Sequence, residues 1–496
     1  MKRIKLFSSL IAVIMLFTCA CSMSFAENSS IMRGDVNRDG EISIVDIVMM
    51  RANIIGSLDF DGLTEKIADI SKDGNFDIVD VVNARGIIIG NIVFDKDDKT
   101  NFVEDYEVFT IENGITEEMK AASRVSPDAN LARLSDVFRR AKNGEALTIG
   151  CIGGSITQGS LAENNYGYEK MMREWWKSTF PDAEFTFVNA GIGGTDSHFG
   201  IYRLERDLLQ YNPDFVIVEF SVNDTQKKLN SLTYECLVRK ILEQDNAPAV
   251  MLLFMTQEDG TSLVDVHKPI GEYYNLPMVS YKNAILPVIE RGDITWDDIS
   301  PDNIHPNDEG HKVVTQLISS YFEEDVLPNI DAVDYTYEIP DAQTDQYANA
   351  IMVECADSDA VSEQLKNFNY GAFDETAKAA HFNSSWKWDA SGDDKDCTAM
   401  EFDVTAKNIS MYYYMMKANG GKVNVTISYQ DEGDEEPTIR TKTVNADFSK
   451  GWGAYTEIVQ LFTSDKEHDL HVKIEPEYNE AKTDMNKFTV YAFGIS

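Results

Sequence analysis

Four short blocks of the 496-residue chain carry groups that could act together in one reaction. In chain order they are Gly153-Gly154-Ser155-Ile156-Thr157, Asn189-Ala190-Gly191-Ile192-Gly193-Gly194, Ser221-Val222-Asn223-Asp224 and Asp302-Asn303-Ile304-His305-Pro306. The first block offers a hydroxyl nucleophile, and the last offers a histidine base three residues after a carboxylate. The two middle blocks offer glycine N–H groups and a side-chain amide, which can stabilise a developing oxyanion. Together these groups suit nucleophilic attack on an ester carbonyl.

Each block alone also has an ordinary structural explanation. The first suits a strand-to-helix turn in which Ser155 caps the helix, and Asn223 suits a polar turn. The order and residue types of all four blocks, however, resemble the SGNH (GDSL-like) hydrolase family over about residues 125–325. Two positions depart from the family pattern, because Gly154 stands where the family has Asp and Ser221 stands where it usually has Gly.

The resemblance implies a role for each chemical group. Ser155 would be the nucleophile, His305 the base and Asp302 the carboxylate that orients the base. The Ser155 N–H, the Gly194 N–H and the Asn223 amide would form the oxyanion hole. The choice of Gly194 over the two other glycines of its block rests on the resemblance and stays open at this stage.

Alternating strand and helix patterns surround the four blocks. A helical pattern runs from Asn130 to Gly144, and further helical patterns cover Tyr168–Trp176 and Leu204–Gln210. Strand-like apolar runs cover Ala146–Ile152, Phe185–Val188, Phe215–Glu219, Ala249–Met255 and Met278–Ser280. This alternation predicts an α/β core with a flavodoxin-like parallel sheet, whose ligands bind beyond the carboxyl ends of the strands.

Two similar loops of twelve residues precede this region. Each has oxygen-bearing side chains where a hard cation needs ligands and a glycine at the sixth position for a sharp turn. The candidate metal ligands are Asp35, Asn37, Asp39, Glu41, Ser43 and Asp46 in the first loop, and Asp69, Ser71, Asp73, Asn75, Asp77 and Asp80 in the second. The spacing predicts two structural Ca²⁺ ions, and no cofactor is expected for catalysis.

The paired loops, each followed by an apolar helical pattern over 47–55 or 81–89, resemble a dockerin module of cellulosomal proteins. The resemblance implies a small all-α module over residues 33–91 that binds a cohesin domain of a scaffold protein. Two apolar pairs, Ile44-Val45 and Ile78-Val79, precede the last ligand of each loop. We interpret them as an approximately twofold partner-binding face, with packing into the helix cores as the alternative.

The N-terminus has the pattern of an export signal over residues 1–26, with basic residues before an apolar run and a small-residue cleavage site. A lipoprotein anchor at Cys19 is the alternative.

The net charge of −39, from 83 acidic and 44 basic residues, argues against nucleic acid or an anionic membrane surface as partner. No later stretch is expected to span a membrane. Cys151 and Cys236 are expected to be buried thiols, and pairing of Cys355 with Cys397 is left open.

The predicted domains are therefore a signal peptide (1–26), a dockerin (33–91), a linker (92–124), an SGNH catalytic domain (125–328) and an antiparallel β-sandwich accessory domain (335–496). The predicted strands of the last domain cover Met400–Val404, Lys422–Tyr429, Tyr455–Phe462, His471–Glu475 and Phe488–Phe493. Its aromatic residues, Trp386, Trp388, Trp452 and Tyr412–Tyr414, would form either a glycan-binding face or the core.

A dockerin implies an extracellular location beside hydrolases of the plant cell wall, where acetyl esters decorate several polysaccharides. We therefore expect a secreted, cellulosome-associated serine esterase that removes O-acetyl groups from xylan or mannan through an acyl-enzyme on Ser155. Tyr166, Tyr168 and Trp296 are candidate stacking residues near the cleft, with core packing as the alternative. Two other hypotheses remain open: a lipolytic or acyl-transferring SGNH enzyme, and a non-catalytic glycan-binding component.

Overall fold

A computed structural model describes residues 31–38, 40–58, 60, 62–95, 98–103, 109–330, 336–379, 381–391, 395–433, 435–449, 451 and 454–496. The predicted signal peptide, Asp39 and Trp452 lie outside the described residues. The chain divides into two compact units, one of residues 1–110 and 290–293 and one of residues 111–289 and 294–496. Within the described residues, no helix is both long and apolar enough to cross a bilayer.

The smaller unit is built around the duplicated loops. Its helices are α1 (Ile44–Ile54), α2 (Gly62–Ala68) and α3 (Ile78–Ile88), and two short strands, β1 (Ile31–Met32) and β2 (Phe102–Val103), pair antiparallel. Ser43 and Asp77 are the N-caps of α1 and α3, and each forms a capping box with the aspartate three residues later. The helices therefore begin inside the loops, three residues earlier than the sequence pattern predicted.

The larger unit contains the expected five-stranded parallel sheet. Its strands are β3 (Ala146–Gly153), β4 (Glu184–Gly191), β5 (Phe215–Glu219), β6 (Ala249–Phe254) and β7 (Met278–Ser280), in the order β4-β3-β5-β6-β7. Every neighbouring pair is parallel. β5 and β6 are buried along their whole length, which explains their continuous apolar sequence.

Helices and single turns connect and cover these strands. They are α4 (Glu117–Ser123), α5 (Ala132–Lys142), α6 (Ser155–Gln158), α7 (Tyr168–Thr179), α8 (Ser197–Asp207), α9 (Lys227–Leu242), α10 (Val264–Tyr273), α11 (Tyr281–Glu290), α12 (Trp296–Ile299) and α13 (Asp308–Tyr321). The stretch predicted as a linker contains β2 and α4. Helix α8 begins seven residues before the predicted start at Leu204 because the Asp196 side chain caps it by accepting the Phe199 N–H at 2.8 Å.

The C-terminal part of the larger unit is an antiparallel β-domain, as predicted. Its elements are β8 (Ile351–Glu354), α14 (Ser358–Gln364), β9 (Lys366–Asn369), β10 (Asp374–Ala379), β11 (Phe382–Asp389), β12 (Met400–Met415), β13 (Lys422–Tyr429), β14 (Thr438–Asn445), β15 (Tyr455–Glu477) and β16 (Lys487–Ile495). The prediction of two strands at 455–462 and 471–475 was wrong, because both belong to the 23-residue strand β15. The polar stretch between them stays beside β12 through a register shift between Ala406 and Asn408.

The parallel-sheet and C-terminal parts of this unit share one hydrophobic core. Residues of the parallel-sheet part, among them Phe199, pack in the same buried cluster as Tyr412 and others from the β-domain. The Tyr412 hydroxyl donates to the Phe199 carbonyl at 3.0 Å, and His198 Nε2 lies 2.9 Å from Ser410 Oγ. Continuous burial of this kind holds the two parts in one fixed arrangement.

The four cysteines among the described residues are free thiols. Cys151 in β3 and Cys236 in α9 are buried, as expected. Cys355 and Cys397 do not form a disulfide, which settles the question that the sequence left open.

Candidate active site

The structure brings the predicted hydroxyl, imidazole and carboxylate into one hydrogen-bonded series. His305 Nε2 lies 2.8 Å from Ser155 Oγ, and His305 Nδ1 lies 2.8 Å from Asp302 Oδ2. With the proton on Nδ1, the carboxylate fixes the tautomer and leaves the Nε2 lone pair directed at the serine hydroxyl. This is the geometry that a serine nucleophile and its base require.

The loop that carries Asp302 and His305 is held by its own hydrogen bonds. Asp302 Oδ1 accepts the main-chain N–H groups of Ile304 and His305, at 2.8 and 2.7 Å. The Trp296 indole and the Ser300 hydroxyl both donate to the Asp302 carbonyl, at 2.6 and 2.7 Å. The carboxylate therefore shapes the loop with one oxygen and orients the imidazole with the other.

Two opposing effects set the charge of Asp302. Partial burial raises the pKa of this carboxyl, but hydrogen bonds from the backbone and ring of His305 and from the Ile304 N–H lower it by more. The net pKa lies below the ordinary value, so the group stays ionised at neutral pH and can stabilise a protonated imidazole.

Three N–H donors that line the same cleft have no hydrogen-bond partner among the described residues. They belong to the Ser155 backbone, the Gly194 backbone and the Asn223 side chain, the three predicted oxyanion donors. The other two glycines of the second block are already engaged, because the Gly191 N–H donates to Asn189 Oδ1 and the Gly193 N–H donates to Gln158 Oε1, both at 2.8 Å. Gly194, with φ of +73°, adopts a backbone conformation that favours glycine.

Asp224 connects the two loops that carry the predicted oxyanion donors Gly194 and Asn223. Its Oδ1 accepts the Ser197 N–H at 2.7 Å, so it links the Asn223 turn to the start of α8, just after the Gly194 loop. Its Oδ2 lies 2.8 Å from Nε2 of His267, whose ring stacks on Tyr234 at 3.7 Å between centroids. Sequence reasoning gave Asp224 and His267 no role, because the partners of α10 cannot be read from the motif.

The serine that replaces the usual glycine of the third block also has a structural role. The Ser221 hydroxyl accepts the Met255 N–H at 2.7 Å and donates to the Met255 carbonyl at 3.2 Å. The turn after β5 is thereby fastened to the end of β6. This departure from the family pattern supports the site and removes no donor or base from it.

A cleft of about 1210 Å³ opens over these groups and draws its walls from both parts of the larger unit. Ser155, Gly194, Asn223 and His305 lie along it on the catalytic side. The C-terminal β-domain contributes His381, Tyr414 and residues 454–458, which include Tyr455 and Glu457. The Tyr455 hydroxyl donates to Glu457 Oε2 at 2.7 Å, so this wall carries a tyrosine–carboxylate pair.

Two of the three predicted stacking residues have other roles. Tyr168 is fully buried, with its hydroxyl 2.9 Å from Thr157 Oγ1, and Trp296 is buried with its indole holding the Asp302 loop. Tyr166 is exposed but does not line the cleft. Trp386 and Trp388 fill the core of the β-domain, whereas Tyr414 and Tyr455 line the cleft.

Comparison with known proteins matches two regions of the chain to described families. Residues 151–313 match the family described as GDSL-like lipase/acylhydrolase, and residues 33–83 match the type I dockerin domain. A solved two-domain esterase (CEX) active on acetylated mannans is 32% identical, with 76% of this chain and 98% of that chain covered and a TM-score of 0.66. The chain belongs to the GDSL-like hydrolases. It is an ester hydrolase that also carries a type I dockerin domain.

Two further matches differ in how much of the chain they cover. A structure of a two-domain esterase (CEX) co-crystallised with mannopentaose is 33% identical to this esterase, covers 79% of its chain and 99% of the other, and has a TM-score of 0.64. An arylesterase of Vibrio mimicus is 21% identical over 167 residues, which are 31% of this chain and 80% of that protein. The first match extends over both the catalytic and the C-terminal parts of the esterase, whereas the second covers a much smaller share of the chain.

The dockerin loops of the esterase are closed by repeated hydrogen bonds. Asp35 and Asp69 accept the N–H of the sixth-position glycine of their loops, at 2.9 and 3.0 Å. These glycines, at positions 40 and 74, both have φ of +87°, as the predicted sharp turn requires. Asp46 and Asp80 are buried, and each accepts the N–H of the third loop residue, at 3.1 and 2.8 Å.

These loops fit a divalent cation. Buried carboxylates need compensating charge, and the loops hold them beside hydroxyl, amide and main-chain oxygens. Among the described residues, no group of three or more His, Cys, Asp or Glu side chains forms a metal cluster by itself. A calcium ion would be held by the mixed oxygen set that the loop pattern supplies.

The two apolar pairs of the dockerin are on its surface. The exposed fractions are 65% for Ile44, 46% for Val45, 56% for Ile78 and 48% for Val79. Such exposure excludes the alternative that these side chains fill the helix cores. Apolar side chains at equivalent positions of two similar helices offer two equivalent contact surfaces.

A buried carboxyl group lies next to the turn that carries Ser155. Glu219 is the last residue of β5, and its Oε2 accepts the Thr157 hydroxyl at 3.2 Å, while Oε1 has no partner among the described residues. Burial raises the pKa of Glu219 to about 7 from the ordinary 4.5. Sequence reasoning missed this group because an acidic residue at a strand end carries no sign of its burial.

Glu219→Gln should change the pH dependence of stability. The neutral carboxyl stabilises the fold at low pH, and this stability is lost as pH rises from about 4.5 through about 7. The thermal midpoint of the variant relative to wild type should therefore rise between pH 5 and pH 8 in scanning fluorimetry. Glu184→Gln, at an exposed position, is the control, and its thermal midpoint should differ from that of wild type by the same amount at each pH. Parallel curves for Glu219→Gln and wild type would contradict the prediction.

Proposed function

We propose that the protein is a secreted, cellulosome-associated serine esterase that removes O-acetyl groups from a plant cell-wall polysaccharide. Mannan is the favoured substrate and xylan the alternative. The observation that carries the proposal is the Ser155–His305–Asp302 series in a cleft lined by both parts of the larger unit. The mannan preference is supported by the esterase active on acetylated mannans, which is 32% identical over both parts.

In the proposed reaction the Ser155 hydroxyl attacks the acetyl carbonyl carbon while its proton moves to His305 Nε2. The carbonyl oxygen becomes an oxyanion, and the free donors of Ser155, Gly194 and Asn223 would bind it. Collapse of the tetrahedral intermediate breaks the ester bond, and His305 gives the proton to the departing sugar oxygen, which leaves as a hydroxyl. Water, deprotonated by the same imidazole, then hydrolyses the acetyl-enzyme, releases acetate and restores the serine.

The side chains that line the cleft favour a sugar polymer over a lipid as the substrate. Its wall from the β-domain presents tyrosines and a carboxylate, which can stack on sugar rings and accept their hydroxyl hydrogen bonds. A lipolytic or acyl-transferring enzyme is the second hypothesis, since Leu161 and Val222 give the same cleft some apolar surface. The hydrogen bond between the Ser155 hydroxyl and the His305 imidazole argues against the non-catalytic alternative.

Ser155→Ala should abolish hydrolysis. Loss of the nucleophile is expected to lower kcat by about 10⁴-fold or more, and Asp302→Asn by on the order of 10³–10⁴-fold, because the imidazole loses its orienting carboxylate. Release of p-nitrophenol from p-nitrophenyl acetate measures both. Circular dichroism and the thermal midpoint serve as folding controls. Turnover near the wild-type rate in Ser155→Ala would refute the assignment of the nucleophile.

Acetate release should identify the substrate. We expect faster release from acetylated glucomannan than from acetylated xylan, and little turnover of long-chain p-nitrophenyl esters. Tyr414→Ala should raise KM for acetylated mannan several-fold and leave kcat/KM for p-nitrophenyl acetate unchanged, since only the polymer reaches the far wall. Tyr211→Ala, an exposed tyrosine that does not line the cleft, is the matched control. Preference for long-chain esters would favour the lipolytic hypothesis.

The dockerin supports the proposal of a cellulosomal location. Export through the segment at residues 1–26 would place the protein outside the cell, with lipoprotein anchoring as the alternative. The loop oxygens from Asp35 to Asp46 and from Asp69 to Asp80 would hold two Ca²⁺ ions, which would stabilise the folded loops. The exposed pairs at 44–45 and 78–79 would contact a cohesin.

Cohesin binding should need calcium and either one of the two apolar pairs. Ile44→Asp and Ile78→Asp should each retain binding because the other surface remains, whereas the double variant should lose it. Calorimetric titration against a panel of cohesins, with and without EDTA, measures this. Ile439→Asp, at an exposed isoleucine of the β-domain, is the control. Binding that ignores EDTA, or survives the double variant, would contradict the proposal.

EDTA is expected to leave hydrolysis of p-nitrophenyl acetate nearly unchanged, because the proposed chemistry uses no metal. Acetate release in the same samples checks this.

A further inference from the structure

The residue before the nucleophile lies unusually close to one of the oxyanion donors. A Cβ atom built on Gly154 would lie 2.0 Å from Asn223 Oδ1, 2.8 Å from its Cγ and 3.2 Å from its Nδ2. Gly154 has φ of −91°, which residues with side chains adopt freely. Space for the asparagine amide therefore favours a glycine at this position.

No hydrogen bond within the described residues holds the Asn223 amide. Its Oδ1 is buried without a hydrogen-bond partner among the described residues, and its Nδ2 likewise donates to none of them. The main chain of the residue is fixed, because its N–H donates to the Phe220 carbonyl at 3.0 Å. With the backbone held and no polar partner on the side chain, the space left by Gly154 lets the amide occupy its place beside Ser155.

We propose that Gly154 is a positioning residue of the oxyanion hole. The missing side chain admits the Asn223 amide to a position that lines the cleft, from which its N–H₂ group can reach an oxyanion. This inference rests on the proposed function, because it takes Asn223 as an oxyanion donor. It gives a physical reason for the departure at this position, where the family pattern has an aspartate.

A methyl group at position 154 should disturb catalysis more than folding. The clash is with the end of a side chain, which can rotate away without moving the backbone. That rotation also turns Nδ2 out of its position. Loss of one oxyanion donor typically lowers kcat by about 10²–10³-fold.

The test is a double-mutant cycle of Gly154→Ala and Asn223→Ala on p-nitrophenyl acetate. We expect Gly154→Ala to lower kcat by about 10²-fold or more with KM changed less than about threefold. In the Asn223→Ala background the same substitution should have little further effect, because the amide through which it acts is gone. A purely structural defect would instead lower activity equally in both backgrounds.

Gly271→Ala is the matched control. A Cβ there would lie 2.3 Å from Met278 Sδ, again the far part of a side chain, but this helix position does not line the cleft. We expect it to retain wild-type kcat, and thermal midpoints of all variants report on folding. Loss of activity by Gly271→Ala equal to that of Gly154→Ala would overturn the inference.

Other outcomes separate this inference from the proposed function. Wild-type kcat in Gly154→Ala, or equal losses from it with and without Asn223, overturns the inference alone. Wild-type kcat in Asn223→Ala overturns it together with the assignment of that oxyanion donor. The esterase proposal as a whole depends on Ser155→Ala, which is measured in the same assay.

Discussion

The hydrogen bond between His305 and Ser155 joins residues 150 positions apart in the chain, and the rest of the site depends on it. A serine hydroxyl is a weak nucleophile until an imidazole can take its proton. The parallel sheet meets this requirement, because the carboxyl ends of β3, β4 and β5 lie at one edge and deliver three of the four blocks there. The fourth block arrives on a loop that its own carboxylate shapes.

A site that stabilises an oxyanion also needs N–H donors that have no partner within the protein. A buried N–H group without a partner costs stability, whereas one that lines a cleft can be hydrated until a substrate replaces the water. Here Gln158 and Asn189 take the N–H groups of Gly193 and Gly191 and leave that of Gly194 free. The surroundings of these loops are rigid, since Asp224 bonds the two loops to each other and to α10. Donors fixed before the substrate arrives need no reorganisation during the reaction.

The C-terminal β-domain is part of the site and not a separate attachment. Its strand β12 presents Tyr412 to the shared core and Tyr414 to the cleft, two residues apart on the same face of one strand. One strand thus anchors the domain and lines the cleft. This arrangement links the proposed choice of a polymeric substrate to the packing of the whole larger unit, because a shift of the domain would also move the cleft wall.

The chemical groups and the local turns could be predicted from the order of residues along the chain. The four blocks, the glycines 40 and 74 with their positive φ, and the parallel strands follow from short-range pattern, since backbone sterics and side-chain periodicity act over a few residues. Long-range packing settles which glycine N–H stays free, buries Tyr168 and Trp296, and places Tyr414 and Tyr455 along the cleft. Each of these depends on contacts between residues far apart in the chain, and burial is set by what packs against a residue and not by its type.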